Sequence, residues 1–223
     1  MNERIDLDSL TRNTRRLEFE DGLNDLQNSL VFLLLSLLGT LFMSTAGITL
    51  YMRAMIFNEE ITTIALLALI PLFVLITFGA RRLIARYRKQ VLWRHLGEVE
   101  PFRWQVDSRV SVLAAAIWLA VVIVGLFAFA GDPMDLDADM RVLVAAGGIA
   151  TGVIYFAMGQ TLAIQRYRWV GLIGGLLSAA LIITPLNVGL SWLAFGLIWM
   201  VMLMVSGIYA LRGTLMKLRA SVS

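Results

Sequence analysis

The sequence predicts an all-α integral membrane protein with six transmembrane helices in three hairpins, preceded by an N-terminal amphipathic interfacial helix. Of its 223 residues, 59% are hydrophobic and only 16% are charged, whereas soluble domains carry about 25% charged residues. The apolar residues form uninterrupted runs of the length that spans a bilayer as a helix, about 20 residues. Because the runs are apolar on every face, they do not show the period-two alternation of a membrane β-barrel.

Residues 1–29 are predicted to form a cytoplasmic N-terminal arm that ends in the amphipathic helix. Apolar residues recur there at helical spacing, and carboxylates occupy another face. The apolar positions are Phe19, Leu23, Leu26 and Leu30, and the acidic ones include Glu18, Asp21 and Asp25. We interpret the acidic face as solvated, on a helix that lies in the membrane interface. A metal or lipid-headgroup site formed by these carboxylates is the alternative.

The transmembrane domain is predicted over residues 30–211. Its six spans are 30–52, 61–80, 110–131, 142–165, 169–186 and 190–211. The last two come from one long uncharged stretch, which we divide at Pro185–Gly189 because proline, asparagine and glycine favour a turn. None of the six predicted spans contains Asp, Glu, Lys, Arg or His. This pattern argues against proton relays and voltage sensors, which need ionisable groups inside the membrane.

The basic residues predict an orientation with both termini in the cytoplasm, in the cytoplasmic (inner) membrane of the cell. In that orientation all but two of the 19 lysine and arginine residues lie on cytoplasmic segments, as the positive-inside rule expects. These segments include a basic loop, 81–109, and a tail, 212–223. Only Arg53 and Arg141 lie outside. The net charge of +3 is therefore interpreted as a topology signal, and nucleic acid is not an expected partner.

Seven basic residues that follow the second and fourth spans are predicted to contact anionic lipid headgroups at the cytoplasmic face. They are Arg81, Arg82, Arg86, Arg88, Lys89, Arg166 and Arg168. The segments Arg86–Arg88 and Arg166–Arg168 share the sequence Arg-Tyr-Arg at an offset of 80 residues. Three tandem hairpins of common origin explain this match, and so does convergence on basic residues at the ends of inward-facing hairpins.

Small residues predict where helices pack closely. Gly148 with Gly152, and Gly171 with Gly175, each form a small-x-x-x-small face that lets two helix backbones approach, within the chain or between copies. Three further positions are candidates for a kink or a solute contact: Pro71, Gln160 and Gln165. Proline removes one helix hydrogen bond, and the two glutamines are polar groups at the end of the fourth span.

Catalytic and cofactor motifs are not found in the sequence, so we expect no catalytic, cofactor-binding or metal-binding residues. The acidic run Asp135, Asp137 and Asp139 begins like a calcium loop, but Met140 stands where that loop requires glycine. The chain has no cysteine and a single histidine, His95, which excludes the usual zinc sites.

These observations favour a non-enzymatic subunit or accessory component of a membrane complex. Its environment is the lipid bilayer, and its partner is another membrane subunit or a second copy of the chain. The alternative is a permease-like carrier for a neutral or lipophilic solute, dependent on a separate energising partner. A third hypothesis is a lipid-modifying enzyme that uses the interfacial carboxylates Glu18, Glu20, Asp21 and Asp25.

Overall fold

A computed structural model describes residues 19–92, 108–129 and 136–222, and every regular element in these ranges is helical. The helices are α1 (Leu23–Met43), α2 (Thr45–Phe57), α3 (Glu59–Tyr87), α4 (Ser108–Phe129), α5 (Leu136–Thr161), α6 (Gln165–Ala180) and α7 (Val188–Val222). A five-residue π-helical turn, Arg88–Leu92, directly follows α3. The predictions for residues 1–18, for 93–107 with His95, and for 130–135 lie outside the described residues.

Four described helices are long and apolar enough to cross a membrane. They are Leu23–Met43, Glu59–Leu92, Asp137–Thr161 and Val188–Lys217. The protein is therefore all-helical over the described residues, and its helices indicate a membrane location.

Four helices, α1, α5, α6 and α7, form the packed part of the molecule, which we call the body. At its centre the indole of Trp199 is fully buried. The ring stacks 5.6 Å from both Tyr155 and Phe32, measured between centroids, and its Nε1 donates to Ser178 Oγ at 3.2 Å. Gly174 makes room for it, because a methyl group there would lie 2.9 Å from Trp199 Cη2. Helix α4 packs against α5 at the edge of the body.

The glycines predicted to mediate helix packing lie at the contact between α5 and α6. A methyl group on Gly152 would lie 2.6 Å from the carbonyl oxygen of Gly171, and one on Gly175 would lie 3.6 Å from Gly152 Cα. A methyl group on Gly148 would collide with Ser178. The structure thus uses these residues for packing within the chain.

Ser44 interrupts the predicted first span, 30–52. Its backbone is extended (φ −84°, ψ 147°), and its Oγ accepts a hydrogen bond from Gly47 N at 3.0 Å. Serine at this position caps a new helix by satisfying one of its free backbone N–H groups. The apolar run 30–52 is therefore divided between α1 and α2, and α1 instead extends seven residues before Leu30, to Leu23.

The predicted interfacial helix is also interrupted, at Gly22. Gly22 has a φ of 76°, which glycine adopts without steric cost. A methyl group there would lie 2.8 Å from Ala210 Cβ of α7. Phe19 and Leu23, on either side of Gly22, are buried. The start of α1 therefore packs against α7.

Helices α2 and α3 form what we call the peripheral hairpin, and most of its large apolar side chains are exposed. Among the side chains that the structure describes, none in the apolar window of Glu59–Leu92 is buried. Pro71 lies within α3 and does not end it. The hairpin joins the body at Ser44 and at Arg88, so lipid or another chain has to cover the surface between these two attachments.

Candidate functional site: a buried polar cluster

The carboxylate of Asp25 lies at the meeting point of three helices. Asp25 is in the first turn of α1, its exposure is 0%, and both of its oxygens are engaged. The hydroxyl of Tyr167, on α6, donates to Oδ1 at 2.5 Å. The hydroxyl of Ser206, on α7, donates to Oδ2 at 2.8 Å. Each of these contacts joins residues that are more than 140 positions apart in the sequence.

Arg166 supplies the charge that faces Asp25. Its Nε lies 3.4 Å from Asp25 Oδ2, which makes an ion pair, although this Nε makes no hydrogen bond. The guanidinium donates through Nη1 to the carbonyl oxygen of Glu20 at 3.0 Å, and through Nη2 to that of Phe19. Arg166 therefore anchors the chain before α1 as well as balancing the buried carboxylate.

Asn28 and Tyr155 extend the arrangement to α5. Asn28 Nδ2 donates to the Tyr155 hydroxyl at 3.0 Å, and the rings of Tyr155 and Tyr167 meet edge to face at 5.8 Å. We call these residues together the polar cluster: Asp25, Asn28, Tyr155, Arg166, Tyr167 and Ser206.

A second buried ion pair attaches the end of the peripheral hairpin to the body. Arg88 Nε and Nη2 donate to the two oxygens of Asp21 at 2.6 and 2.8 Å. Asp21 Oδ1 also accepts from Leu23 N at 2.9 Å, which satisfies a free N–H at the start of α1. The side chains are 10% and 3% exposed. Removing one partner from such a pair leaves an uncompensated buried charge, which is strongly destabilising.

Two predictions about charge are wrong. Asp21 and Asp25 are buried and paired, so they do not form a solvated face. The expectation that no span contains an ionisable residue is also wrong, because the candidate span Leu23–Met43 contains Asp25. The acidic face of this segment is evident in the sequence, but its partners are distant in the chain. Those of Asp25 come from α6 and α7, and Asp21 pairs with Arg88 after α3.

The seven basic residues predicted to lie at the membrane surface divide into two groups. Arg88 is buried, and Arg166 belongs to the polar cluster. Arg168 is half-buried, and its Nε donates to the carbonyl oxygen of Gly159 at 3.3 Å. The exposed members are Arg81, Arg82, Arg86 and Lys89. Among the seven residues, only this second group has exposed side chains, so the prediction of lipid contact applies to these four alone.

The predicted kink and solute positions do not meet in one site. Pro71 is midway along α3, whereas Gln160 and Gln165 flank the turn between α5 and α6. All three side chains are exposed. An apolar cavity of about 630 Å³ lies elsewhere, between the end of α1 and the peripheral hairpin. Its lining includes Leu41, Gly47, Tyr51, Ala65 and Leu69.

The polar cluster is suited to positioning helices. Both oxygens of Asp25 already accept hydrogen bonds and its side chain is inaccessible, so a substrate cannot reach it in this conformation. Within residues 19–92, 108–129 and 136–222, no three acidic or histidine side chains are grouped to hold a metal ion. Glu18 lies outside these ranges, and burial of Asp21 and Asp25 leaves no accessible set of the interfacial carboxylates in the described part of the chain.

Comparison with protein-family models, curated proteins and solved structures finds no match to this chain.

Proposed function

We propose that this protein is a non-enzymatic subunit or accessory component of a membrane complex, and that the peripheral hairpin contacts the other component. One observation carries the proposal: the body encloses a hydrogen-bonded polar cluster around Asp25, whereas most of the large apolar side chains described in the hairpin are exposed. Examples are Ile64, Leu67 and Leu75, each more than 60% exposed. A large exposed apolar surface on a membrane protein is covered by lipid or by another chain.

We further propose that the protein spans the cytoplasmic membrane six times. Both of its termini lie in the cytoplasm. Helix α4 has 22 residues, about 33 Å at 1.5 Å per residue, and supplies one span beyond the four long apolar helices. Helix α6, extended by the turn at 181–187, supplies the other. The grouping of Arg88, Arg166 and Arg212 near one end of the body supports this orientation, because basic residues concentrate on the cytoplasmic side.

Mass measurement after purification in mild detergent tests the proposal. We expect an assembly heavier than the 24.8 kDa chain. The pair Ile64→Ala and Leu67→Ala on α3 should dissociate it, while the matched pair Leu172→Ala and Leu176→Ala on α6 should not. A monomeric wild-type protein, or equal behaviour of the two pairs, contradicts the proposal.

A carrier for a neutral or lipophilic solute is the second candidate, and the apolar cavity favours it. Its volume of about 630 Å³ falls within the range of small-molecule sites, about 300–1,000 Å³. Ala65→Trp should fill the cavity and abolish saturable binding of the neutral dye Nile red by the reconstituted protein. Ala68→Trp, on the same helix but outside the lining, should preserve binding. Saturable binding that survives Ala65→Trp excludes this cavity as the carrier site.

A further inference from the structure

We propose that a cleft beside the last turns of α7 binds the phosphate headgroup of an anionic membrane phospholipid. The cleft has a volume of about 380 Å³ and lies between the chain at Glu20, the start of α6 and the last third of α7. The residues that carry the argument are Arg166, Tyr209, Arg212, Met216 and Lys217. The proposal does not depend on the proposed function.

The charge of the cleft favours an anion. Arg166, Arg212 and Lys217 line it together with one carboxylate, that of Glu20. Arg166 already faces Asp25 across 3.4 Å, so its charge is largely balanced inside the body. Arg212 and Lys217 are exposed and are the two cations available to a ligand. A guanidinium can hold two phosphate oxygens at once, and a lysine ammonium adds a point charge.

The apolar part of the lining favours a lipid over free phosphate. Tyr209 and Met216 line the same cleft, and they are 78% and 61% exposed. Val205 and Ile208 continue this exposed apolar surface along α7. Val205, Tyr209, Arg212 and Met216 follow each other at spacings of three or four residues, so they share one helix face. Basic residues thus lie beside an exposed apolar stripe, as an amphiphile with a phosphate headgroup requires.

Size and location agree with this ligand class. A volume of about 380 Å³ is at the lower end for small-molecule sites, which suits a headgroup whose acyl chains lie outside along α7. Tyrosine is enriched at the level of the headgroups in membrane proteins, and Tyr209 stands one turn before Arg212. Juxtamembrane basic residues are attracted to anionic lipids.

Native mass spectrometry of the purified protein in detergent tests the proposal, with short-chain phosphatidylglycerol as the anionic probe and phosphatidylcholine as the neutral one. We expect phosphatidylglycerol to bind more tightly than phosphatidylcholine. The double variant Arg212→Gln and Lys217→Gln should weaken phosphatidylglycerol binding about 10- to 30-fold, since each basic residue at an anionic surface contributes on the order of a factor of five. The control Arg53→Gln removes one exposed cation that neither lines the cleft nor belongs to the predicted headgroup contacts. It should change binding less than about twofold, and it is compared with the single variants Arg212→Gln and Lys217→Gln.

Each other outcome overturns the proposal. Equal losses in Arg53→Gln and in the single cleft variants mean that attraction is general and the cleft is not a site. No loss in any of these variants means the same. If inorganic phosphate, which has no acyl chains, displaces phosphatidylglycerol, the cleft is a free-phosphate site instead. The single variants Arg212→Gln and Lys217→Gln should each lose about fivefold, and a folded single variant that keeps the wild-type affinity overturns the assignment of its residue to the site.

Discussion

The body and the peripheral hairpin are both built from apolar helices, yet only the body closes on itself. In the body, Trp199, Leu203 and Asp25 are fully buried. In the hairpin, Leu67 and Leu75 are 63% and 68% exposed. Hydropathy does not explain the difference, because the apolar window of Glu59–Leu92 has a mean hydropathy of 2.6 and that of Val188–Lys217 only 2.2.

Small residues and matched polar groups explain the difference better. In a membrane, apolar side chains gain little by leaving lipid, so helices associate through close packing and hydrogen bonds. The body has glycines at its contacts, such as Gly152 against Gly171, and a shared carboxylate in Asp25. Helix α3 has one glycine, Gly79, and a methyl group there would meet nothing within 4 Å. Over its described residues, helix α3 therefore lacks the closely packed glycines that the body has at its contacts.

Replacement of Asp25 should change the free energy of unfolding most. It would also distinguish the body from the peripheral hairpin most clearly. Asp25→Ala leaves Arg166 without its counter-charge, and Tyr167 and Ser206 without their acceptor. We expect the free energy of unfolding to fall by about 3 kcal/mol, the lower end for a broken buried pair, because Arg166 is partly exposed. The control Glu60→Ala removes an exposed carboxylate from the hairpin and should change it by less than about 0.5 kcal/mol. Denaturant unfolding in mixed micelles measures both, and equal effects would show that the polar cluster does not stabilise the body.

Two glycine substitutions, one in the body and one in the hairpin, should have smaller effects on the free energy of unfolding. Gly152→Ala places a methyl group 2.6 Å from the Gly171 carbonyl oxygen, and overpacking of this kind costs about 1–3 kcal/mol. Gly79→Ala meets open space and should raise stability by about 0.5–1 kcal/mol, because alanine favours a helix. The same unfolding measurement gives both values. A stabilising Gly152→Ala would mean that α5 and α6 do not approach as closely as described.

Sequence patterns predict the apolar helices well and their partners poorly. The turn was expected at Pro185–Gly189. Residues 185–187 precede α7, and Val188 begins it. This boundary could be predicted because proline and glycine act locally. The break at Ser44 was not predicted, because apolar residues flank it on both sides and the serine cap depends on one local hydrogen bond. The pairing of Asp25 with Arg166 was not predicted either, because it depends on how distant segments pack.

The two Arg-Tyr-Arg segments also show that a sequence pattern does not predict which partners its residues have. Tyr167 is 1% exposed and donates to Asp25, whereas Tyr87 is 39% exposed. In the first segment the third residue, Arg88, pairs with an aspartate, and in the second segment the first residue, Arg166, does so. Identical tripeptides thus have different environments, which depend on the helices packed beside them.

Photo-crosslinking in native membranes tests most directly whether the hairpin is a contact surface for another chain. A photoreactive residue replaces Leu67 on α3 or Leu176 on α6, which are 63% and 65% exposed. We predict that the Leu67 position forms a protein adduct of fixed mass, identifiable by mass spectrometry as a partner or a second copy, and that the Leu176 position forms lipid adducts only. Lipid adducts alone at both positions, or the same protein adduct at both, would contradict the account.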